Sequence, residues 1–218
     1  EPLIGKDIVT TIDIRFQDVA EKALEDQLIY HDADWGCVVL MEVQTGEIKA
    51  IVNLKNKGEN QFDEEYNYAI ADQTEPGSTF KLASVIVGLE DGFFNSNDSV
   101  NTSGGEHTFY DRTMRDSKKG GYGTISLREA FLKSSNVGIS KMVFEYYKND
   151  KSKFVDRLYS MGLNDPLNIS ISGESSPNIL HPKGNSKWNG TTLPWMSIGY
   201  GIEMTPLQTL SFYAAIAN

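Results

Sequence analysis

The chain has 218 residues, enough for one large or two small domains with a substantial buried core. Its composition, 39% apolar and 23% charged, is ordinary for a globular protein, and its net charge of −10 argues against a nucleic-acid partner, because phosphate contacts need clustered Lys and Arg. The single cysteine, Cys37, excludes a disulfide within the chain and reads as a small buried hydrophobe, while His31, His107 and His181 lack paired-ligand spacing, so no metal site is expected.

No apolar run reaches the roughly 18 residues that a membrane-spanning helix needs. The chain starts at Glu1-Pro2 without an initiator Met, a basic stretch or an apolar leader, and this reads as an excised or processed piece of a longer protein. Residues 1–13 form a lead-in ending in the β-branched stretch Ile8-Val9-Thr10-Thr11-Ile12. A helix follows over about 14–30, with Phe16, Val19, Ala20, Ala23, Leu24 and Leu28 on one apolar face. Residues 36–43 and 47–54 are strand-like and joined by Gln44-Thr45-Gly46, so they form a hairpin; residues 55–66 are polar and read as a surface loop.

Pro76-Gly77 punctuates the chain before a helix over about 78–91, whose expected buried stripe is Leu82, Val85, Ile86 and Leu89. Residues 95–124 are rich in Gly, Ser, Asn and Asp and read as an irregular excursion. Ser126-Leu127-Arg128-Glu129 is a capping box that starts a short helix. That helix breaks near Ser134-Ser135-Asn136, before further helices over about 137–148 and 151–161, the last stopped by Gly162. Residues 163–203 look mostly irregular, and Thr205-Pro206 opens a helix carrying Leu207, Leu210, Ala214 and Ala217 to the end of the sequence.

The chemistry concentrates at Ser78-Thr79-Phe80-Lys81, the one Ser-x-x-Lys in the chain. At a helix start, residues three apart share a face, so Lys81 can reach the Ser78 hydroxyl. A serine is a weak nucleophile without a base beside it, and a lysine becomes that base when burial disfavours its charged form. The helix N-terminus adds a positive field and free N–H groups suited to a developing oxyanion. A second element is Ser134-x-Asn136: the serine can relay a proton to a leaving amine, and the asparagine can hold a substrate amide and the lysine. Ser99-Val100-Asn101 and Ser176-Pro177-Asn178 match the same tripeptide, but Ser134 lies at the helix–helix junction and the others lie in stretches that read as turns.

These segments resemble the penicillin-binding proteins, whose signature combines Ser-x-x-Lys, a Ser-x-Asn-type triad and Lys-Thr-Gly. Thr11-Ile12-Asp13 with Gln17 and the helix to Leu28 looks like the opening of the transpeptidase domain of class B members. Glu75 to Lys81, Lys133 to Gly138, Gly199-Tyr200-Gly201 and Thr205 to Gln208 continuing to Asn218 look like successive later segments of that domain. The resemblance implies an α/β (α+β) fold with helices around an antiparallel sheet, incomplete here, and one truncated transpeptidase domain over residues 1–218. It implies Ser78 as acylated nucleophile, Lys81 as its general base, Ser134 as proton relay and Asn136 as the group that orients substrate.

The implied reaction is acyl transfer: a D-Ala-D-Ala stem peptide of peptidoglycan acylates the serine, the last D-Ala leaves, and an amine of a neighbouring strand resolves the acyl-enzyme. β-Lactams mimic that substrate, and no metal or organic cofactor is implied. The resemblance also implies cell-wall synthesis or divisome proteins as partners, with a lean toward the cell-division subgroup. It implies an extracytoplasmic location at the periplasmic face, the parent protein being anchored in the inner membrane by an N-terminal helix absent here. One departure stands out: no Lys-Thr-Gly or Lys-Ser-Gly occurs, Lys118-Lys119-Gly120 being the nearest run, and only two of the five sheet strands of the family are legible. The 218 residues are therefore expected to be catalytically impaired.

Two other readings compete. A serine β-lactamase would need a glutamate to activate water, and Glu174 is placed for it, but Ser172-Gly173-Glu174-Ser175 offers no apolar anchoring. A non-catalytic penicillin-sensing or scaffold domain is the other. A phosphate-binding loop is excluded, since residues 75–81 do not fit Gly-x-x-x-x-Gly-Lys-Ser/Thr. Trp35, Trp188 and Trp195 read as core or rim packing, and Asp111, Arg112, Arg115 and Asp116 as a solvated charge cluster edging the cleft.

Overall fold

The computed structural model describes residue 5, residues 7–59 and residues 61–218; the Glu1-Pro2 opening of the expected lead-in lies outside the described residues. In chain order the elements are α1 (Ile14–His31), β1 (Trp35–Met41), β2 (Ile48–Asn56), β3 (Phe62–Asp63), α2 (Tyr68–Ala71), a 3-10 turn (Gly77–Phe80) running into α3 (Lys81–Glu90), β4 (Ser99–Asn101), a second 3-10 turn (Ser103–Gly105), β5 (Glu106–Phe109), β6 (Arg112–Arg115), β7 (Thr124–Ser126), α4 (Leu127–Leu132), α5 (Asn136–Tyr147), α6 (Lys151–Ser160), β8 (Asn178–Ile179), α7 (Thr192–Met196), β9 (Ile202–Glu203) and α8 (Pro206–Ala217). The fold is mixed helix and sheet, and every sheet is small and antiparallel. The chain divides into two compact units. One holds the described residues up to Asp72 with Ile169–Ser175 and Thr205–Asn218, and the other holds Gln73–Asn168 with Ser176–Met204.

In the first unit, β1 and β2 form the expected hairpin, with Val38 opposite Val52 and Val39 opposite Ile51. The pleat then sends alternate side chains to opposite faces. Val38, Val52 and Leu54 pack with Leu24 and Leu28 of α1. Cys37, Val39 and Ile51 pack with Ala69, Ile70 and Leu207 of α2 and α8. Asp13 caps α1 by accepting from the Arg15 amide, and the Gln17 side chain bonds both the N–H and the carbonyl of Ile51. The apolar face of α1 is narrower than the periodicity suggested: Leu24 and Leu28 are buried, but Phe16 and Val19 are 48% and 69% exposed. Ala20 packs beside them and is half-buried, while the positions of the stripe farther from the sheet stay in water. The stretch read as a surface loop also supplies a third strand, because Phe62 and Asp63 pair with Asn56 and Lys55. Among the described residues, the sheet of this unit therefore has three strands rather than two.

The second unit is organised by α3, which packs on α5 and α6. Its buried residues are Lys81, Ala83, Ser84, Val85, Val87 and Gly88, whereas Leu89 is 44% exposed and Leu82 and Ile86 are half-buried. The buried side is thus turned from the stripe read in the sequence, and it takes the polar Lys81 and Ser84 inside. Ser84 is satisfied there by donating to the Ser197 carbonyl at 2.7 Å. Below α3, Val143, Tyr147, Phe154 and Leu158 are fully buried. The excursion at 95–124 is ordered into two small ladders, β4 with β7 and β5 with β6, that position the chain before α4. The stretch after α6 likewise contains the β8–β9 pair and α7. The capping box at Ser126 and Glu129 forms as expected, and the helix start at Thr205-Pro206 also forms, closed by a second capping box with Gln208.

Candidate active site

Ser78 lies in the first helical turn after Pro76-Gly77, inside the 3-10 turn that continues into α3. Gly77 has a φ of +55°, and its amide donates to the Gly199 carbonyl at 3.0 Å. Gly199 has a φ of +83°, and a Cβ there would stand 2.1 Å from the Gly77 carbonyl oxygen, so only glycine permits this approach. Two residues on, the Gly201 amide donates to Glu75 Oε1 at 2.7 Å. The Gly-Tyr-Gly segment thereby fixes the turn that presents Ser78.

Three residues after Ser78, Lys81 is 1% exposed. Its Nζ lies 3.0 Å from Ser78 Oγ, 2.9 Å from Ser134 Oγ, 2.7 Å from the Ser134 carbonyl and 2.6 Å from Asn136 Oδ1. All four residues singled out in the sequence therefore meet at one ammonium. The competing tripeptides do not join them: Asn101 Oδ1 accepts from the Ser103 amide, and Asn178 bonds Glu203. Glu174 belongs to the first unit, where Oε2 accepts from the Ile169 amide.

The Ser134–Asn136 corner is shaped by local strain that its neighbours hold in place. Ser134 adopts a φ of +52°, a left-handed conformation that costs a non-glycine residue about 1 kcal/mol or more. Ser134 donates its amide to Phe131, and Ser135 donates its amide to Ala130. The fully buried Ser135 caps α5 by accepting from the Gly138 amide. Asn136 Nδ2 donates to the Arg115 carbonyl at 2.9 Å, which settles the amide orientation and turns Oδ1 to Lys81.

Asp116 does not stay in the solvated charge cluster that the sequence suggests. It is half-buried, with its carboxylate accepting from Ser135 Oγ at 3.0 and 3.1 Å and from the Val137 amide at 3.0 Å. The available signal was its position one residue after Arg115 in a charged run, which does not distinguish a clamp from a surface group. Arg115 acts through its backbone carbonyl, while its side chain pairs with Glu106.

Burial lowers the Lys81 pKa from the ordinary 10.5 to about 8, and the nearby Asp116 charge opposes that fall. The proton count at Nζ follows. The Ser134 carbonyl and Asn136 Oδ1 can only accept, so a neutral lysine gives them both of its N–H groups. Its lone pair is then left for a serine hydroxyl. At pH 7.5 a lysine of pKa about 8 is about one quarter neutral, against about one thousandth at 10.5. Among the described residues no group of three or more His, Cys, Asp or Glu could hold a metal ion.

A family model for the penicillin binding protein transpeptidase domain matches residues 36–218. The chain is 30% identical over 216 residues to the peptidoglycan D,D-transpeptidase FtsI of Escherichia coli strain K12, covering 97% of this chain and 35% of that protein. It is 28% identical over 222 residues to the probable peptidoglycan D,D-transpeptidase PenA of Neisseria flavescens, covering 100% of this chain and 53% of that protein. The chain thus spans about half or less of the length of these curated relatives. Among solved structures, it matches a peptidoglycan glycosyltransferase from Burkholderia ambifaria with a TM-score of 0.82 at 25% identity, covering 96% of this chain and 61% of that one. The transpeptidase domain of Burkholderia pseudomallei penicillin-binding protein 3 matches in fold with a TM-score of 0.80 at 24% identity, covering 95% of this chain and 57% of that one. Since the family match covers most of its residues, the chain belongs to the penicillin binding protein transpeptidase domain family.

Proposed function

We propose that this chain is transpeptidase-domain sequence of a peptidoglycan D,D-transpeptidase that works through a serine acyl-enzyme. The observation that carries the reading is the buried Lys81 Nζ within hydrogen-bond distance of Ser78 Oγ, Ser134 Oγ and Asn136 Oδ1. On this reading, neutral Lys81 takes the Ser78 proton as Oγ attacks the carbonyl of the penultimate D-Ala. The oxyanion forms near the N-terminus of the Ser78 helix, whose positive field stabilises it. Ser134, hydrogen-bonded to the now protonated Lys81, passes a proton to the departing D-Ala amine, and Asn136 holds the peptide amide. An amine of a second strand then takes the acyl group and restores the Ser78 hydroxyl.

The same reading makes β-lactams slow acylating mimics, cell-wall synthesis or divisome proteins the partners, and the extracytoplasmic, periplasmic face the place of action. No helix among the described residues is long and apolar enough to cross a membrane. The 218 residues contain no Lys-Thr-Gly or Lys-Ser-Gly, so acylation by these residues alone is expected to be slow beside a chain that supplies that strand. The test is intact-mass spectrometry after prolonged incubation with labelled penicillin. A single adduct on Ser78, absent from Ser78→Ala, is expected. No adduct, or one that survives the substitution, would sink the assignment.

A further inference from the structure

The second unit contains a cleft of about 480 Å³ whose lining includes Glu75, Arg112, Lys187, Asn189, Trp195 and Tyr200. Arg112 projects from β6, and its guanidinium carbon lies 4.6 Å from the centroid of the Trp195 ring. A guanidinium over an indole face keeps its N–H edge for a carboxylate, because stacking uses the face and the fork lies in the plane. Arg15, Arg115 and Arg157 each have a carboxylate partner. Neither Arg112 nor Lys187 has one among the described residues, although the chain carries a net charge of −10. Two unpaired cations on one concave surface of an acidic protein draw in an anion and concentrate it there.

The rest of the lining suits a peptide. Asn189 Oδ1 is taken by the Thr191 amide and hydroxyl, so its Nδ2 donors stay open to a ligand carbonyl. Glu75 receives the Gly201 amide through Oε1, leaving Oε2 as an acceptor for ligand N–H groups. Trp195 and Tyr200 offer aromatic surface. The cleft also joins the Ser78 assembly through the chain: Glu75 lies three residues before Ser78, and Arg112 lies three before the Arg115 carbonyl that holds Asn136.

We propose that this cleft is a binding subsite for a carboxylate-bearing peptide. Arg112 and Lys187 hold the carboxylate, Asn189 and Glu75 hold the peptide backbone, and Trp195 covers the stem. Resting on the function proposed above, the ligand is a peptidoglycan stem peptide, bound through a carboxylate other than the one at its scissile end.

The experiment measures by calorimetry the binding of a soluble muropeptide with free carboxylates, and of its counterpart with the internal carboxylate amidated. The proteins are the wild-type chain, Arg112→Gln, Lys187→Gln and Arg112→Lys. Amidation of the ligand and either glutamine substitution are each expected to weaken binding about tenfold, the worth of one charge-assisted hydrogen bond. Arg112→Lys keeps the charge but loses the fork and the stacking, and recovers only part of the affinity. Lys187→Gln should leave the thermal midpoint unchanged and Arg112→Gln should lower it only slightly, through the lost stacking on Trp195, which separates lost binding from lost folding. Equal binding of the two peptides, unchanged binding by both glutamine variants, or no binding by the wild type overturns the proposal. Penicillin labelling of Ser78 tells the two readings apart. Carboxylate-dependent binding without acylation strikes the acyl-enzyme alone, and acylation with carboxylate-independent binding strikes the cleft alone.

Discussion

Asp116→Asn is expected to lower stability and to shift a pH profile in a direction that loosening of the fold does not produce. The Asp116 carboxylate accepts from Ser135 Oγ and the Val137 amide, at 3.0–3.1 Å. A hydrogen bond to a charged group contributes about 1.5–3 kcal/mol and a neutral one about 0.5–1.5 kcal/mol. Asparagine keeps one accepting oxygen and turns the other atom into a donor. For a half-buried group the net loss is about 1–2 kcal/mol, read as a shift of the denaturant unfolding curve. The corner at Ser134, held at a φ of +52°, also loses its clamp, so the maximal acylation rate falls. The electrostatic consequence runs the other way. Burial depresses the Lys81 pKa, and the Asp116 charge partly restores it. Removing that charge drops Lys81 below its present value of about 8, so the neutral base persists to lower pH. The acidic limb of the acylation rate, followed with labelled penicillin from about pH 6 to about pH 10, therefore moves down while the plateau drops. A limb that stays in place or moves up, with stability unchanged, would refute the coupling between Asp116 and Lys81.

Three further outcomes follow from the same geometry. Lys81 titrates near 8 when folded and at 10.5 otherwise, so the native state holds fewer protons than the unfolded chain between those values. Its contribution to stability rises with pH across that window, by at most about 3 kcal/mol (10.5 minus about 8, at about 1.36 kcal/mol per unit), and a flat difference between wild-type and Lys81→Met unfolding energies would contradict this. Gly199→Ala forces a Cβ to within 2.1 Å of the Gly77 carbonyl at a φ of +83°; a loss of about 2–4 kcal/mol in thermal unfolding is expected, with acylation of Ser78 falling in the protein that remains folded. Asp91 is 2% exposed at its side chain and accepts from Tyr147, Arg157 and Lys153. Burial pulls its pKa up, but those hydrogen bonds outweigh burial and hold it low, so its stabilisation is lost as pH falls through its folded pKa. Asp91→Asn is expected to cost about 2–3 kcal/mol near pH 7 and progressively less as pH falls below the ordinary 3.8, and a cost that does not change with acidity would count against the linkage.

Local chemistry makes much of this protein legible in its sequence. The capping box at Ser126, the cap-then-proline start at Thr205-Pro206, the hairpin around Gln44-Thr45-Gly46 and the break at Ser134-Ser135-Asn136 rest on short-range hydrogen bonding, which adjacent residues specify by themselves. Ser78 and Lys81 were paired by helical spacing alone. Where packing decides, local periodicity misleads. The stripe Leu82, Val85, Ile86 and Leu89 was the more apolar side of α3, yet the helix turns Lys81 and Ser84 inward because the Ser134 corner and the Ser197 carbonyl satisfy them there. Strands of two to four residues, such as β3, β5 and β8, carry too little alternation to be told from loop, since their pairing partners lie outside the local window.

By itself the sequence determined which residues could do acyl-transfer chemistry and in what order they follow one another. Only the tertiary structure decided that Ser134 and Asn136, more than fifty residues beyond Lys81, converge on its Nζ, and that Asp116 holds their corner while opposing the effect of burial on the base. The physical reason is that a motif fixes donors and acceptors along the chain. Desolvation and charge proximity, which set whether a lysine is a base, depend on what the folded chain brings around it.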